Sequence, residues 1–183
     1  MTGPSGVGKG TLIKRLKELV PGLRLSISAT TRQPRPGEVD GVHYHFLTPE
    51  SFQQRIDDQL FIEHADYAGN RYGTLRSEID RSSSDSSAIL LEIELQGARQ
   101  IRKTVPDAVQ IFIAPPSFEA LKSRLTGRGT DSQEQIQRRL VLAKEEMAAA
   151  SEFEHVIEND SLELAAAELA KLVSDSVAGS SLP

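Results

Sequence analysis

The chain has 183 residues, enough for one domain with a sizeable core, and its 38% hydrophobic and 26% charged residues are ordinary for a globular protein. It contains no cysteine, which excludes disulfides, thiolate chemistry and cysteine zinc sites. The net charge of −5 argues against a general nucleic-acid binder, no apolar run reaches membrane-spanning length, and the N-terminus lacks a signal-peptide layout, so a cytoplasmic protein with no nucleic-acid or membrane partner is expected. The charge is uneven, because arginines gather at Arg32, Arg35, Arg124, Arg128, Arg138 and Arg139. Local basic clusters on an acidic chain suit a small anionic ligand.

The first element is the run Gly3-Pro4-Ser5-Gly6-Val7-Gly8-Lys9-Gly10-Thr11, followed by Leu12, Leu16, Leu19 and Val20 at helical spacing. Glycines let a backbone curl so that several N–H groups point at one anion. The helix N-terminus adds partial positive charge, and Lys9 supplies a mobile charge for the outer phosphates. Against the pattern G-x-x-x-x-G-K-[ST], Gly3, Gly8 and Lys9 fit, Gly10 stands where the hydroxyl is expected, and Thr11 follows one place later. Which oxygen reaches a magnesium ion, directly or through water, is left open. Only Met1 and Thr2 precede Gly3, so the buried strand that normally leads into such a loop is expected to be missing. A fragment, a misassigned start and a fold that manages without that strand are the three readings.

Leu23 to Ser28 alternates and reads as a strand, and Thr30 to Gly37, with prolines on both sides of Arg35, is extended. Asp40-Gly41 signals a hairpin turn before a strand over Val42 to Phe46. Thr48 and Pro49 start a helix carrying Phe52, Ile56 and Leu60; Phe61 to Ala65 returns as a strand, and Gly69 to Thr74 reads as a loop. Ser82 to Ser87 reads as a solvated connector. Ala88 to Ile93 is an apolar run broken by Glu92, which suggests a strand buried on both faces, with Glu92 and Glu94 in a Walker-B-like place near magnesium.

A short helix is expected over Gln96 to Lys103 and a buried strand over Val109 to Ala114. Ser117 caps the next helix, which ends in the basic turn Gly127-Arg128-Gly129-Thr130. Ser132 and Gln135 resemble a capping box for the helix that carries Arg138 and Arg139. His155 to Glu158 is a last strand, Asp160 with Glu163 caps a final helix, and Ala178 to Pro183 is expected to be disordered. Strands alternating with helices predict an α/β fold with a parallel sheet. Residues 30 to 80 break the alternation as a mostly β insert, and residues 124 to 139 read as an arginine-bearing flap.

The chain resembles guanylate kinases of the nucleoside monophosphate kinase family from Gly3 to about Val177, so a domain over residues 2–177 is expected. The resemblance rests on the loop at 3–9, Ser-Ala-Thr-Thr-Arg at 28–32, Pro34 to Glu38, Tyr44-His45-Phe46, Phe61-Ile62-Glu63, Tyr72-Gly73-Thr74, Glu92 to Gly97, Ile113 to Ser117 and Gly127 to Thr130. It implies a P-loop kinase three-layer sandwich with a GMP-binding insert and a helical lid. It also implies transfer of a phosphoryl group from ATP to GMP, and to dGMP, with magnesium.

Carried over, Gly3 to Thr11 would bind ATP, with Lys9 catalytic and Thr11 toward magnesium. Ser28, Arg32, Arg35, Tyr44 and Tyr72 would hold the GMP phosphate, with Arg32 also catalytic. Glu63, Thr74 and Glu94 would read guanine, Arg128 and Arg139 would reach over the ATP phosphates as catalytic lid arginines, and Asn159 would lie near the adenine. Many members carry aspartate where this chain has Glu92 and Glu94.

The chemistry is coherent without the name. A phosphate oxygen as acceptor is already ionised at neutral pH, so no general base is required, and catalysis becomes positioning plus charge stabilisation. Guanine presents an N1–H beside an exocyclic amine, and the carboxylate of Glu63 can accept both. Read alone, Tyr44 and Tyr72 are half-buried strand aromatics and Arg138 and Arg139 a solvated helix face; only Arg139 is kept, on resemblance. His43, His45, His64 and His155 lack zinc-site spacing. The competing readings are a non-catalytic guanylate-kinase-like binding module, which usually loses the phosphate loop and lid arginines, and an inactive N-terminally truncated kinase.

Overall fold

A computed structural model describes residues 1–83, 88–127 and 133–179. Its elements in chain order are α1 (Lys9–Leu19), β1 (Arg24–Leu25), β2 (Ala29–Thr30), β3 (His45–Phe46), α2 (Pro49–Asp57), β4 (Phe61–Tyr67), β5 (Asn70–Leu75), α3 (Arg76–Ser83), β6 (Ile89–Leu90), α4 (Leu95–Thr104), β7 (Ile111–Ala114), α5 (Phe118–Thr126), α6 (Gln133–Ala148), β8 (His155–Glu158) and α7 (Leu162–Gly179). They form two compact units, Met1–Gly22 with Val109–Pro183, and Leu23–Ala108.

In the first unit β7 and β8 pair in parallel, Ile111 with His155 through Ala114 with Glu158. Thr2 bridges Phe112 in parallel on the other side of β7: its N–H donates to the Ile111 carbonyl at 2.9 Å, and its own carbonyl accepts from Ile113 at 2.8 Å. The strand expected to be missing is therefore represented by a single paired step, and the phosphate loop still departs from beside a parallel strand. Leu12 and Leu16 of α1 are fully buried, and α1 packs on α7, which buries Ala165, Ala166, Leu169 and Val173. The small alanines allow the helices to approach. Ser117 caps α5 as expected, its hydroxyl accepting from the Ala120 N–H at 3.1 Å.

In the second unit β1 and β6 pair in parallel, and a four-stranded sheet runs in the order β3-β2-β5-β4. The β4–β5 pair is an antiparallel hairpin closed by Ala68 and Gly69, both at positive φ (49° and 81°), the signature of a type I′ turn. Phe52 of α2 stacks on Phe61 of β4 with ring centroids 4.4 Å apart, and both lie in a core with Ala29, Leu47, Ile56 and Leu75. The Thr48 hydroxyl caps α2 by accepting from the Ser51 N–H at 3.1 Å.

Several expected boundaries move. The loop expected over Gly69 to Thr74 is strand β5, hidden because Ala68-Gly69 is not an Asn-Gly or Asp-Gly turn. The strand expected over Val42 to Phe46 is reduced to His45–Phe46, since Gly41 to His43 are held in a turn, with Gly41 N–H on the Tyr44 carbonyl at 2.8 Å. Of Leu23 to Ser28 and Ala88 to Ile93 only two residues each pair. Ile93 is buried without joining the ladder, and apolar periodicity reports burial rather than pairing. The helix α3 was not foreseen; its Glu78, 2% exposed, accepts from the Ile27 N–H at 2.9 Å. At the C-terminus α7 continues to Gly179, so Ala178 and Gly179 are helical. The connector residues 84–87, the turn and cap residues 128–132 (with Arg128 and Ser132) and the tail 180–183 lie outside the described residues.

Candidate active site

The phosphate loop is the junction between the Thr2 bridge and α1. Gly8, the residue before α1, has φ 99°, a left-handed conformation that a side chain would strain. A Cβ there would also lie 2.7 Å from the amide nitrogen of Asn159, so glycine is needed for both curvature and room. The Lys9 ammonium donates to the Gly3 carbonyl at 2.6 Å and is thereby held across the loop. Gly10 and Thr11 are exposed in the first turn of α1.

Distant side chains brace this loop. Asn159, directly after β8, is buried; its amide donates to the Val7 carbonyl at 2.8 Å, and its own N–H donates to the Ala114 carbonyl at 2.8 Å. The side chain expected at the adenine is thus engaged under the loop. Arg124 of α5 donates to the carbonyls of Val7 at 3.3 Å and Asn159 at 2.9 Å. From α6, Arg139 donates through Nε and Nη2 to the Ser5 hydroxyl at 3.1 and 2.6 Å, and buried Glu146 accepts from the Ser5 N–H at 3.3 Å. Arg138 pairs with Glu134 at 2.7 Å on the solvent side.

In the second unit, Arg32, Tyr44 and Tyr72 come together. The Arg32 guanidinium lies 5.2 Å from the Tyr44 ring centroid, and the Tyr44 and Tyr72 rings meet edge to face at 6.2 Å. Glu38 grips Arg32 with both oxygens, at 2.9 and 2.8 Å, and also accepts from the Arg35 N–H at 2.7 Å. The hydrogen-bonded Arg32 holds the Glu38 carboxyl below the ordinary carboxylate range. Arg35 is exposed, and the half-buried Ser28 uses its carbonyl to accept from the His45 N–H at 2.9 Å.

Glu63 and Thr74 face each other across the β4–β5 pair. Glu63 is 3% exposed, Thr74 fully buried, and the Thr74 hydroxyl donates to Glu63 Oε1 at 2.7 Å. Burial pushes the Glu63 carboxyl up to about 7; the Thr74 hydrogen bonds pull the other way, and the charge of Glu94 raises it further. Glu94 is the residue before α4, with no side-chain cap bond. Glu92 is half-buried, and its charge adds to burial in raising the Tyr44 phenol.

Sequence reasoning named Arg124 only among the clustered arginines and Glu38 only as part of a motif, giving neither a role at the site, and it missed Glu146. Arg124 and Glu146 meet the loop over separations of 117 and 141 residues, which leave no local pattern. Among the described residues no three acidic, histidine or cysteine side chains gather into a metal cage. The exposed Thr11 hydroxyl is an oxygen donor at the head of α1, so this set fits a magnesium ion that arrives on nucleotide phosphates and keeps its waters.

Loop, helix and parallel strands together define an α/β P-loop kinase. The guanylate kinase family model matches residues 1–176, and the chain belongs to that family. It is 54% identical to the guanylate kinase of Synechococcus sp. (strain CC9311) over 93% of this chain and 90% of that one. It is 48% identical to that of Mycobacterium bovis over 98% of this chain and 88% of that one. The crystal structure of guanylate kinase from Anaplasma phagocytophilum superposes with a TM-score of 0.75 at 30% identity, covering 95% of this chain and 82% of that one.

Proposed function

We infer that this chain transfers the γ-phosphoryl group of ATP to GMP, giving ADP and GDP. The observation that carries the choice of acceptor is the buried Glu63 carboxylate bonded to Thr74. Guanine offers N1–H and N2–H as adjacent donors to that carboxylate, whereas adenine has an unprotonated nitrogen at N1 and would leave a buried acceptor unpaired. Mismatches of that kind discriminate by about 10⁴-fold or more. Residues of the insert, about 30–80, bind GMP, with dGMP as a second acceptor, and residues of the lid, about 124–139, close over ATP.

On the donor side, the loop N–H groups and the α1 N-terminus hold the ATP phosphates, and Lys9 leaves the Gly3 carbonyl to meet the charge on the transferred group. Arg139 sits on Ser5 of the loop and adds a planar, permanently charged fork. On the acceptor side, Arg32, Arg35, Tyr44, Tyr72 and Ser28 hold the GMP phosphate, with Glu38 aligning Arg32. Magnesium, held by Thr11 and phosphate oxygens with Glu92 toward its waters, would supply further neutralisation of the phosphate charge. The acceptor oxygen attacks in line as an anion, so no side chain has to take a proton. The retained Lys9 and the Arg139–Ser5 contact favour an enzyme over a binding module. The working compartment is the cytoplasm; among the described residues no helix is long and apolar enough to cross a membrane.

The test is GDP formation from ATP, GMP and magnesium by this chain. Turnover with GMP and little with AMP, CMP or UMP is expected. A folded chain that binds GMP but forms no GDP would support the binding-module reading.

A further inference from the structure

Strand β4 is the edge of its sheet, and its free side is covered by α4. The cover is made by side chains acting as a missing strand would. Gln100 Oε1 accepts from the His64 N–H at 3.1 Å while its amide nitrogen donates to the His64 carbonyl, so one side chain satisfies both backbone groups of the residue after Glu63. One turn earlier, Gln96 Oε1 accepts from the Asp66 N–H at 3.4 Å. Between the two glutamines lies buried Gly97. A Cβ there would fall 2.0 Å from Glu63 Oε2, 2.9 Å from its Cδ and 3.4 Å from its Cγ. A side chain at this position would therefore push the carboxylate group, Oε2 and Cδ, out of its seat, while Thr74 holds the other oxygen.

We propose that α4 sets the base specificity of the acceptor site, Gly97 by leaving the slot that seats the Glu63 carboxylate and Gln100 by fixing the strand that carries it. The inference rests on the GMP reading above. Both are positioning residues, acting through Glu63. Gly97 lies in the first turn of α4, and the neighbour it admits gives a reason for glycine there.

The experiment compares wild type, Gly97→Ala, Gln100→Ala and Gly97→Ala with Glu63→Asp, reading thermal stability, KM for GMP and for ATP, and the GMP-to-AMP preference. The expected result for Gly97→Ala is a retained cooperative melt, an unchanged KM for ATP, kcat/KM for GMP lower by about tenfold or more, as for a lost charge-assisted hydrogen bond, and a narrower preference for GMP. Shortening the arm with Glu63→Asp should recover part of the loss, because it vacates the volume the new methyl takes. An unchanged KM for GMP, or equal rises for GMP and ATP, would overturn the proposal. If Gly97→Ala does not fold, Gln100→Ala decides: a selective rise in the KM for GMP supports it, and unchanged values overturn it. A wild type that does not phosphorylate GMP would refute the functional reading itself; a normal wild type with an indistinguishable variant would refute the role of α4 alone.

Discussion

At the phosphate loop the proposed binding groups are backbone N–H groups shaped by glycines, whereas at Glu63 the proposed binding group is one side chain whose charge depends on its surroundings. The loop is written in consecutive residues, 3 to 11, and is held by side chains far away in the chain, Asn159 and Arg124 beneath Val7 and Arg139 on Ser5. The proposed base-reading site is assembled from β4, β5 and α4, and its acid is buried, hydrogen-bonded and pushed up to about 7, so that both its ionised and its protonated forms are populated near neutral pH. A phosphate needs charge and curvature, which a loop can supply from backbone. A base needs one acceptor with no competing water, which takes a buried side chain and several elements to hold it.

The largest effect should fall on the loop. Lys9→Ala removes the one mobile cation of the loop and is expected to lower kcat by about 10²–10³-fold while GMP affinity is unchanged. Steady-state kinetics beside direct GMP binding check this, and a matching loss of GMP affinity would break the separation of roles. Asn159→Ala takes the amide from the Val7 carbonyl and leaves only the longer Arg124 bond. A cost of about 1–3 kcal/mol is expected, seen as a melting temperature several degrees lower and a raised KM for ATP. The smallest effect is expected from Arg138→Ala, since its exposed pair with Glu134 contributes roughly 0.5 kcal/mol or less. Its kinetics should match wild type, whereas Arg139→Ala, one residue on, should impair turnover.

The loop, the parallel strands and most helices were legible because each is a local pattern: glycines before a lysine, apolar periodicity, and a capping hydroxyl at Thr48 or Ser117. The hairpin strand β5 was not, because its turn is Ala68-Gly69 and its residues, Asn70 to Leu75, show no apolar alternation. Glu63 and Thr74 could be named from the resemblance, but their burial and the raised carboxyl follow from packing that no spacing encodes. Glu38 lies six residues from Arg32, yet nothing in that interval announces a two-oxygen grip.

The central claim is that guanine is read by the Glu63 carboxylate. Folding raises the affinity of this group for its proton, so its contribution to fold stability is fully present below the ordinary carboxylate range and is lost as pH rises through about 7. GMP acts in the opposite sense, because two N–H donors require the ionised form. Binding GMP near pH 6 should therefore drive a proton off Glu63. The most direct measurement is calorimetric binding of GMP in buffers of different ionisation enthalpy, for wild type and Glu63→Gln, at several pH values. Comparison of the two removes the proton lost by the GMP phosphate itself. The account predicts that wild type releases more protons than the variant near pH 6 and that the difference fades by about pH 8 to 9. Equal proton release by both at every pH, with GMP bound equally well, would contradict it.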